Sequence, residues 1–402
     1  MSIQIVIGKN FGDEGKGLAT DYFSGKAQKQ DRSCLVIRHN GGAQAGHTVD
    51  LPEKRFVFHQ LSSGSFRNAD TFWADTFMPD LYKLPEEIAD FSALHGTIPK
   101  IYGHGNCRCV SIDDVLINMA LETSRGEKRH GSCGMGINEA VERSKDGVFG
   151  ITLKQLCMMT ARELYCRLSE IRKEYVSVRM AQLNLQFGQI GEYGELLKNE
   201  NVLYNAAETM SRAASLLTIS EGTIVNAYDE IVFEGAQGLL LDETFEVFAP
   251  HLTSSRTGLY NPMKFMKKYL QKEKAEIVYV SRAYVTRHGA GPLPYEELWD
   301  KRNMTDQTNV YNPWQGNLRF APHGTVKEFL EPVQNDLLWN TSEHRVSLMV
   351  THLNETKGSV CSTVDEIAVQ EWCNHEMIHE VFEKCYLSGS PYAEDIYQMS
   401  VR

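Results

Sequence analysis

Residues 3–23 read IQIVIGKNFGDEGKGLATDYF. Residues 3–7 are apolar and β-branched, which predicts a buried strand. A glycine-rich segment holding one lysine follows, then helix-forming residues. Strand, glycine loop and helix in that order predict an anion cradle. Gly12, Gly15 and Gly17 let backbone N–H groups converge on a phosphate, a helix starting near Lys16 adds its positive end, and Lys16 neutralises an oxygen. The usual Gly-x4-Gly-Lys-Ser/Thr spacing is not kept, because Asn10 and Gly17 stand at its two ends. Two acids also crowd the loop. A carboxylate beside phosphates is repelled unless a cation intervenes, so Asp13 reads as a magnesium ligand, a general base, or both. Glu14 reads as a solvated or lysine-paired neighbour.

Working outward, strand-like runs lie at 34–38, 54–59, 231–234, 277–285 and 346–351, most of them apolar on both faces. Helical patterns fall near 111–122, 161–182, 205–218 and 376–386. The alternation predicts an α/β protein with a large, mostly parallel central sheet and flanking helices, resembling a P-loop nucleoside triphosphatase. No repeat or Pro/Ser-rich linker interrupts the chain, so residues 1–402 are expected to form one domain. The polar stretch 297–325 is expected to be an irregular functional loop.

Composition narrows the function. Hydrophobic residues make up 42% of the chain, enough for a sizeable core, and the net charge of −11 argues against a nucleic-acid partner. Nine irregularly spaced cysteines and no secretory leader point to reduced thiols in the cytoplasm. His104, Cys107 and Cys109 are one ligand short of a structural zinc site, so ordinary loop thiols are expected. No apolar run approaches the ~18 residues that span a membrane.

Four further loops carry candidate chemistry. RHNGGAQAGHTV (38–49) follows a strand, as the first loop does, and His47 is placed to donate to a phosphate oxygen. In FEGAQGLLLD (233–242), Gln237 offers the donor and acceptor that suit a purine edge. HGSCGMG (130–136) and TSSRTG (253–258) are further anion cradles.

Taken in order, GDEGKGL, GGAQAGHT, GSCGMGIN, FEGAQGLLLD, TSSR and TRHGAGPLPYE resemble the adenylosuccinate synthetase motifs GDEGKGK, GGxNAGHT, GTTGRGIG, FEGAQGxxLD, TSSN and TRVGAGPFPTE. The resemblance runs from residue 5 to about 391. It implies the family's fold and chemistry: aspartate joined to C6 of a 6-oxopurine nucleoside monophosphate, driven by a nucleoside triphosphate and Mg2+, in a homodimer. It implies that Asp13 removes the N1 proton and binds Mg2+ with the Gly46 carbonyl. His47 would support phosphoryl transfer, Lys16 and the glycine amides would hold the triphosphate, and Gln237 would contact the base. Gln44 stands for an asparagine at the acceptor's phosphate and Cys133 for a hydroxyl residue, while Thr253 is kept. Arg143 lies near an arginine that the family sends across its dimer interface.

Three departures qualify these implications. The family's aspartate loop, roughly TTGRRRRTG, has its counterpart in NPWQGNLRFAPHG (312–324), where Trp314 and Gln315 replace the threonines, Asn317 replaces the first arginine, and only Arg319 is retained. Either aspartate is held differently or the donor is another amine. The base-reading TKLD becomes THLN, and Asn354 suits adenine better than guanine, so ATP or dATP is expected over GTP; Ser388 opens SGSP, similar to the family's STGP beside the base. The altered acceptor site leaves IMP and GMP or dGMP open, the last as in phage relatives that make a 2-aminoadenine precursor. A nucleotide-binding module without catalysis is the rival class.

Overall fold

The computed structural model describes residues 1–126, 129–299, 311 and 314–400. Its strands are β1 (Ser2–Gly8), β2 (Cys34–Arg38), β3 (His47–Leu51), β4 (Lys54–Phe58), β5 (Asp70–Trp73), β6 (Ile101–Gly103), β7 (Thr218–Ile219), β8 (Glu230–Gly238), β9 (Glu276–Arg282), β10 (Val285–Arg287), β11 (Arg319–Ala321), β12 (Arg345–Thr351), β13 (Ser359–Cys361), β14 (Glu366–Ala368), β15 (Lys384–Leu387) and β16 (Tyr397–Ser400). Ten of them form one sheet in the order β16-β15-β12-β9-β1-β8-β2-β5-β6-β7. Every pairing in it is parallel except β15 with β16 at the edge.

The central strands are apolar on both faces because both faces are covered. Ile5, Ile7, Ile231, Phe233, Ile277 and Leu348 pack on one side, Val6, Val232, Val278 and Met349 on the other, all fully buried. Burying each such side chain contributes ~1.5–3 kcal/mol, which fixes a strand whose neighbours supply no local turn. A second core, built from Phe58, Trp73, Phe77 and Phe91, lies under the helices Leu84–His95 and Ala161–Ile171.

Several expectations need correction. The run 54–59 is not a sheet strand: β4 pairs antiparallel with β3 in a separate hairpin, with His47 opposite Phe58. The run 277–285 breaks after Arg282, and Val285 opens a separate pairing with β11. The helix expected at 205–218 occupies Glu200–Ala213, and Thr218 already belongs to β7. The helix expected to reach 386 stops at Val381, and Lys384–Leu387 is the parallel strand β15. Of the loop expected at 297–325, residues 300–310 and 312–313 lie outside the described residues, and Arg319–Ala321 is a strand rather than irregular chain.

The expected helix at 111–122 is Ile112–Arg125, capped by Ser111 and Asp114. All nine cysteines are free, Cys107 and Cys109 are buried, and no cluster of three metal-ligating side chains occurs among the described residues. No helix among them is long and apolar enough to cross a membrane.

Parallel strands put their carboxyl ends along one edge. The loops after β1, β2, β8, β9 and β12 all open there, where α/β sheets collect their ligands.

Candidate active site

The loop after β1 is built around Glu14. Its side chain is 1% exposed, and Oε1 accepts from the backbone N–H of Asn10 at 2.9 Å and of Gly12 at 2.8 Å. Oε2 meets the Lys16 ammonium at 2.6 Å. Glu14 is therefore the lysine partner and not the solvated neighbour. Burial would raise its pKa, but the Lys16 charge together with the hydrogen bonds from Lys16 and the backbone outweighs burial and holds it below the usual range. Gly8 and Gly238 make room for this carboxylate, since a Cβ on either would overlap it. Gly12 and Gly15 adopt φ of 103° and 96°, and Gly15 caps helix α1 (Lys16–Lys29).

Between those glycines Asp13 is held at φ 61°, a left-handed conformation that a non-glycine residue adopts at a cost. Arg282 donates to its carbonyl at 2.5 Å. Its carboxylate accepts no hydrogen bond from the described residues. Burial raises its pKa, opposed by the charges of Arg282, His288 and Lys16.

The loop after β2 delivers His47 at the start of β3, against the first turn of α1. A Cβ on Gly17 would lie 2.9 Å from the Thr48 carbonyl oxygen, so only glycine permits this approach. His47 Nδ1 lies 2.8 Å from Glu234 Oε1, and Nε2 lies 3.4 Å from the Ala236 carbonyl oxygen. Glu234 is fully buried in β8, where Ser63 donates to it and Arg38 Nε stands 3.7 Å away. Burial would raise Glu234, but the His47 charge when the ring is protonated, the Arg38 charge and the hydrogen bonds from His47 and Ser63 hold it at about 2. Burial lowers His47 against the pull of Glu234. We assign the ionised carboxylate and the neutral imidazole, with Nδ1–H donating to Glu234.

Gln237 follows on β8; Asn40 donates to its Oε1 at 3.2 Å and accepts from Ala236 N–H at 2.8 Å. The Gln44 amide stands beside it across Gly41. Buried Glu122 accepts the N–H groups of His130 and Gly131, and Asn118 accepts from Ser132 and Gly136, which shapes the loop 130–136. Burial pushes the Cys133 thiol up to about 11, so it is neutral and not a nucleophile.

These pieces face one cavity of about 1370 Å³. Gly12, Asp13, Gly15, Lys16, Gly17, Gln44, Gly46, His47, Cys133, Gln237, Thr253 and Asn354 all line it. Two expected residues do not. Arg319 pairs with Glu296 at 2.7 Å and donates to the carbonyls of Gly289 and Gly291, so it braces a turn instead of facing the cavity. Ser388 is buried and donates to the Ser390 carbonyl at 2.8 Å; its neighbours Ser390 and Pro391 reach the cavity. Arg143 is buried within its own chain, bound to Asp114 and the carbonyls of Phe149 and Cys109, which leaves it no reach to a partner subunit.

Sequence reading missed Glu234 and His288. Glu234 had a signal: a lone acid in the apolar run IVFE must find a buried partner. For His288 it was a histidine in TRHGAGP where the family motif has valine.

A glycine-built anion cradle, a carboxylate-held histidine and paired amides meet in one cavity at the carboxyl edge of a parallel sheet, the architecture of an α/β nucleotide-site protein, a class that includes C–N ligases. A family model described as adenylosuccinate synthetase matches residues 5–312, and the chain belongs to that family. Adenylosuccinate synthetase from Thermoplasma acidophilum is 30% identical over 321 residues, covering 78% of this chain and 68% of that protein. The Thermosipho africanus protein of the same name is 29% identical over 298 residues, covering 73% and 66%. The matches thus span about two thirds of these relatives' lengths.

Among solved structures, fully ligated adenylosuccinate synthetase from Plasmodium falciparum superposes with TM-score 0.68 at 18% identity, covering 98% of this chain and 99% of that one. Cyanophage S-2L succinoaminodeoxyadenylate synthetase, bound to dGMP and to dATP as an energy donor, superposes with TM-score 0.58 at 12% identity, covering 98% and 95%. At these identities the superpositions establish the shared fold.

Proposed function

We propose that this chain is a C–N ligase that uses ATP or dATP to activate O6 of a 6-oxopurine nucleoside monophosphate, IMP or GMP/dGMP, and joins L-aspartate or another amine to C6. The observation that carries this reading is that Asp13, Lys16, His47 and Gln237, from three separate loops, line one cavity.

In this reading the Asp13 carboxylate takes the purine N1 proton. O6 then attacks the γ-phosphorus, and the nucleoside diphosphate leaves. The amine adds at C6, the O6-phosphate departs as inorganic phosphate, and a C6-amino product remains. His47 donates through Nε2 only once a second proton sits on the ring; Glu234 on Nδ1 stabilises that imidazolium, which faces the oxygen where charge develops. Lys16 and the N–H groups at the start of α1 hold the triphosphate. Asn354 reads the adenine of ATP, and the loop 130–136 with Thr253 holds the acceptor's phosphate.

The donors fit Mg2+. The Asp13 carboxylate, which accepts no hydrogen bond from the described residues, and the Gly46 carbonyl are hard oxygen ligands beside the cradle, with substrate phosphates available to complete the shell. The ion would supply positive charge over the transferred phosphoryl group.

A second reading, a nucleotide-binding module without ligation, is favoured by one observation: Arg319, the only arginine kept from the aspartate loop, is spent on Glu296 and two carbonyls. Incubation with Mg2+, ATP or GTP, each monophosphate, and aspartate, with products read by mass, separates the two. An adduct supports ligation. Tight nucleotide binding without turnover supports the module.

A further inference from the structure

His288 follows β10 and lines the cavity, yet the mechanism above gives it no task. Its Nε2 is shielded from solvent and has no hydrogen-bond partner among the described residues. A buried polar atom left unpaired in a binding cavity is a place where a ligand supplies the missing bond. The wall around it is tightly packed. Gly131 packs against the next turn so closely that a Cβ there would stand 2.7 Å from Ala290 N and 3.1 Å from Gly289 Cα. Gln315, which also lines the cavity, donates to the Gly131 carbonyl at 2.9 Å.

Two guanidinium groups at this turn spend their terminal nitrogens on other groups, each leaving only its Nε unpaired among the described residues. Arg319 holds Gly289 and Gly291, and Arg287 donates to the carbonyls of Pro292 and His251. The imidazole of His288 therefore stands in the wall with its donor uncommitted, at the position where the family motif carries valine. We propose that His288 is a further substrate-contacting residue, whose Nε2 hydrogen-bonds a carboxylate of the incoming amine donor.

This inference rests on the ligase reading. In that reading the first turn of α1 and Asn354 serve the triphosphate, and the loop 130–136 with Thr253 serves the monophosphate. The third reactant must approach C6 beside Asp13. His288 and Gln315 form a polar wall of the cavity that neither nucleotide subsite uses, and Asp13 responds to the His288 charge. A single imidazole predicts a donor held through one carboxylate.

The test compares wild type, His288→Val and His288→Gln in steady-state ligation by the full chain, with L-aspartate as the probe amine. His288→Val is expected to raise the KM for L-aspartate about tenfold, equivalent to about 1.4 kcal/mol. The KM values for monophosphate and ATP should stay within about twofold. His288→Gln, which keeps an N–H donor, should recover part of the loss. An unchanged aspartate KM, or an equal rise in the monophosphate KM, overturns the assignment while leaving ligation intact. A wild-type protein that forms no adduct overturns the ligase reading and this inference with it.

Discussion

Replacing Glu14 with Gln tests whether this acid is a structural strut of the cradle. The amide keeps the shape of the carboxylate, and its oxygen can still accept from Asn10 and Gly12, whose N–H groups lie at 2.9 and 2.8 Å. What is lost is the ionic partner of a lysine only 3% exposed. Breaking a buried pair by removing one member costs about 3–5 kcal/mol, because the other charge stays buried.

For 402 residues the unfolding entropy scales to a Tm drop of about 4–6 °C. The double variant Glu14→Gln/Lys16→Met removes both charges and should recover about half of that drop, read by differential scanning fluorimetry without nucleotide. A single variant within about 1 °C of wild type refutes the strut, as does a double variant whose loss equals the sum of the two single losses.

Asp13→Asn should lower turnover at least ~100-fold with Tm unchanged within about 2 °C, and near-normal turnover would remove the base from the mechanism. Because burial raises Asp13, and the carboxylate is the active form, the acid limb of the kcat/KM profile should fall at a pH above the usual carboxylate value of about 4; a limb at or below that value contradicts the assignment. Asn354→Asp should move the ratio of kcat/KM for ATP over GTP toward GTP by ~10-fold or more, since a carboxylate accepts from guanine's paired donors; an unmoved ratio puts base reading elsewhere.

Lys9 is buried with its ammonium over Phe329, and burial lowers its pKa to about 7. The folded state then binds fewer protons than the unfolded state between about pH 7 and 10.5, so this group makes stability rise with pH across that window. Lys9→Met should therefore gain most Tm at pH 7 or below and little near pH 10, and an equal gain at both would refute the shift.

The legible and hidden parts of this fold separate by a physical rule. IQIVI could be read because glycines and a helix follow it, and CLVIR because a second glycine loop does. β15 was hidden. MIHEVFEKCYL carries apolar residues at helical spacing, and only the parallel pairing of Cys385 and Leu387 with Leu348 and Val350 decides for strand, a contact between distant residues. RFVFHQ was read as a strand correctly and placed in the sheet wrongly, because its exposed Arg55 fits a hairpin edge as well as an apolar core rejects it.

The site divides the same way. Asp13, Lys16 and His47 announce themselves within glycine loops. The groups that set their chemistry, Glu234 under His47 and the Glu14 pairing under Lys16, depend on burial that sequence spacing does not encode. A carboxylate in a strand with both faces covered is tolerated only with partners that match its charge. His47, Arg38 and Ser63, from two other segments, are that partner set. An acid inside an apolar strand that ends at the ligand edge of a parallel sheet is therefore a reason to look for the side chain it orients. In this protein that side chain is the histidine facing the reacting oxygen in the proposed ligation, and Glu234→Gln should lower turnover without changing which residues line the cavity.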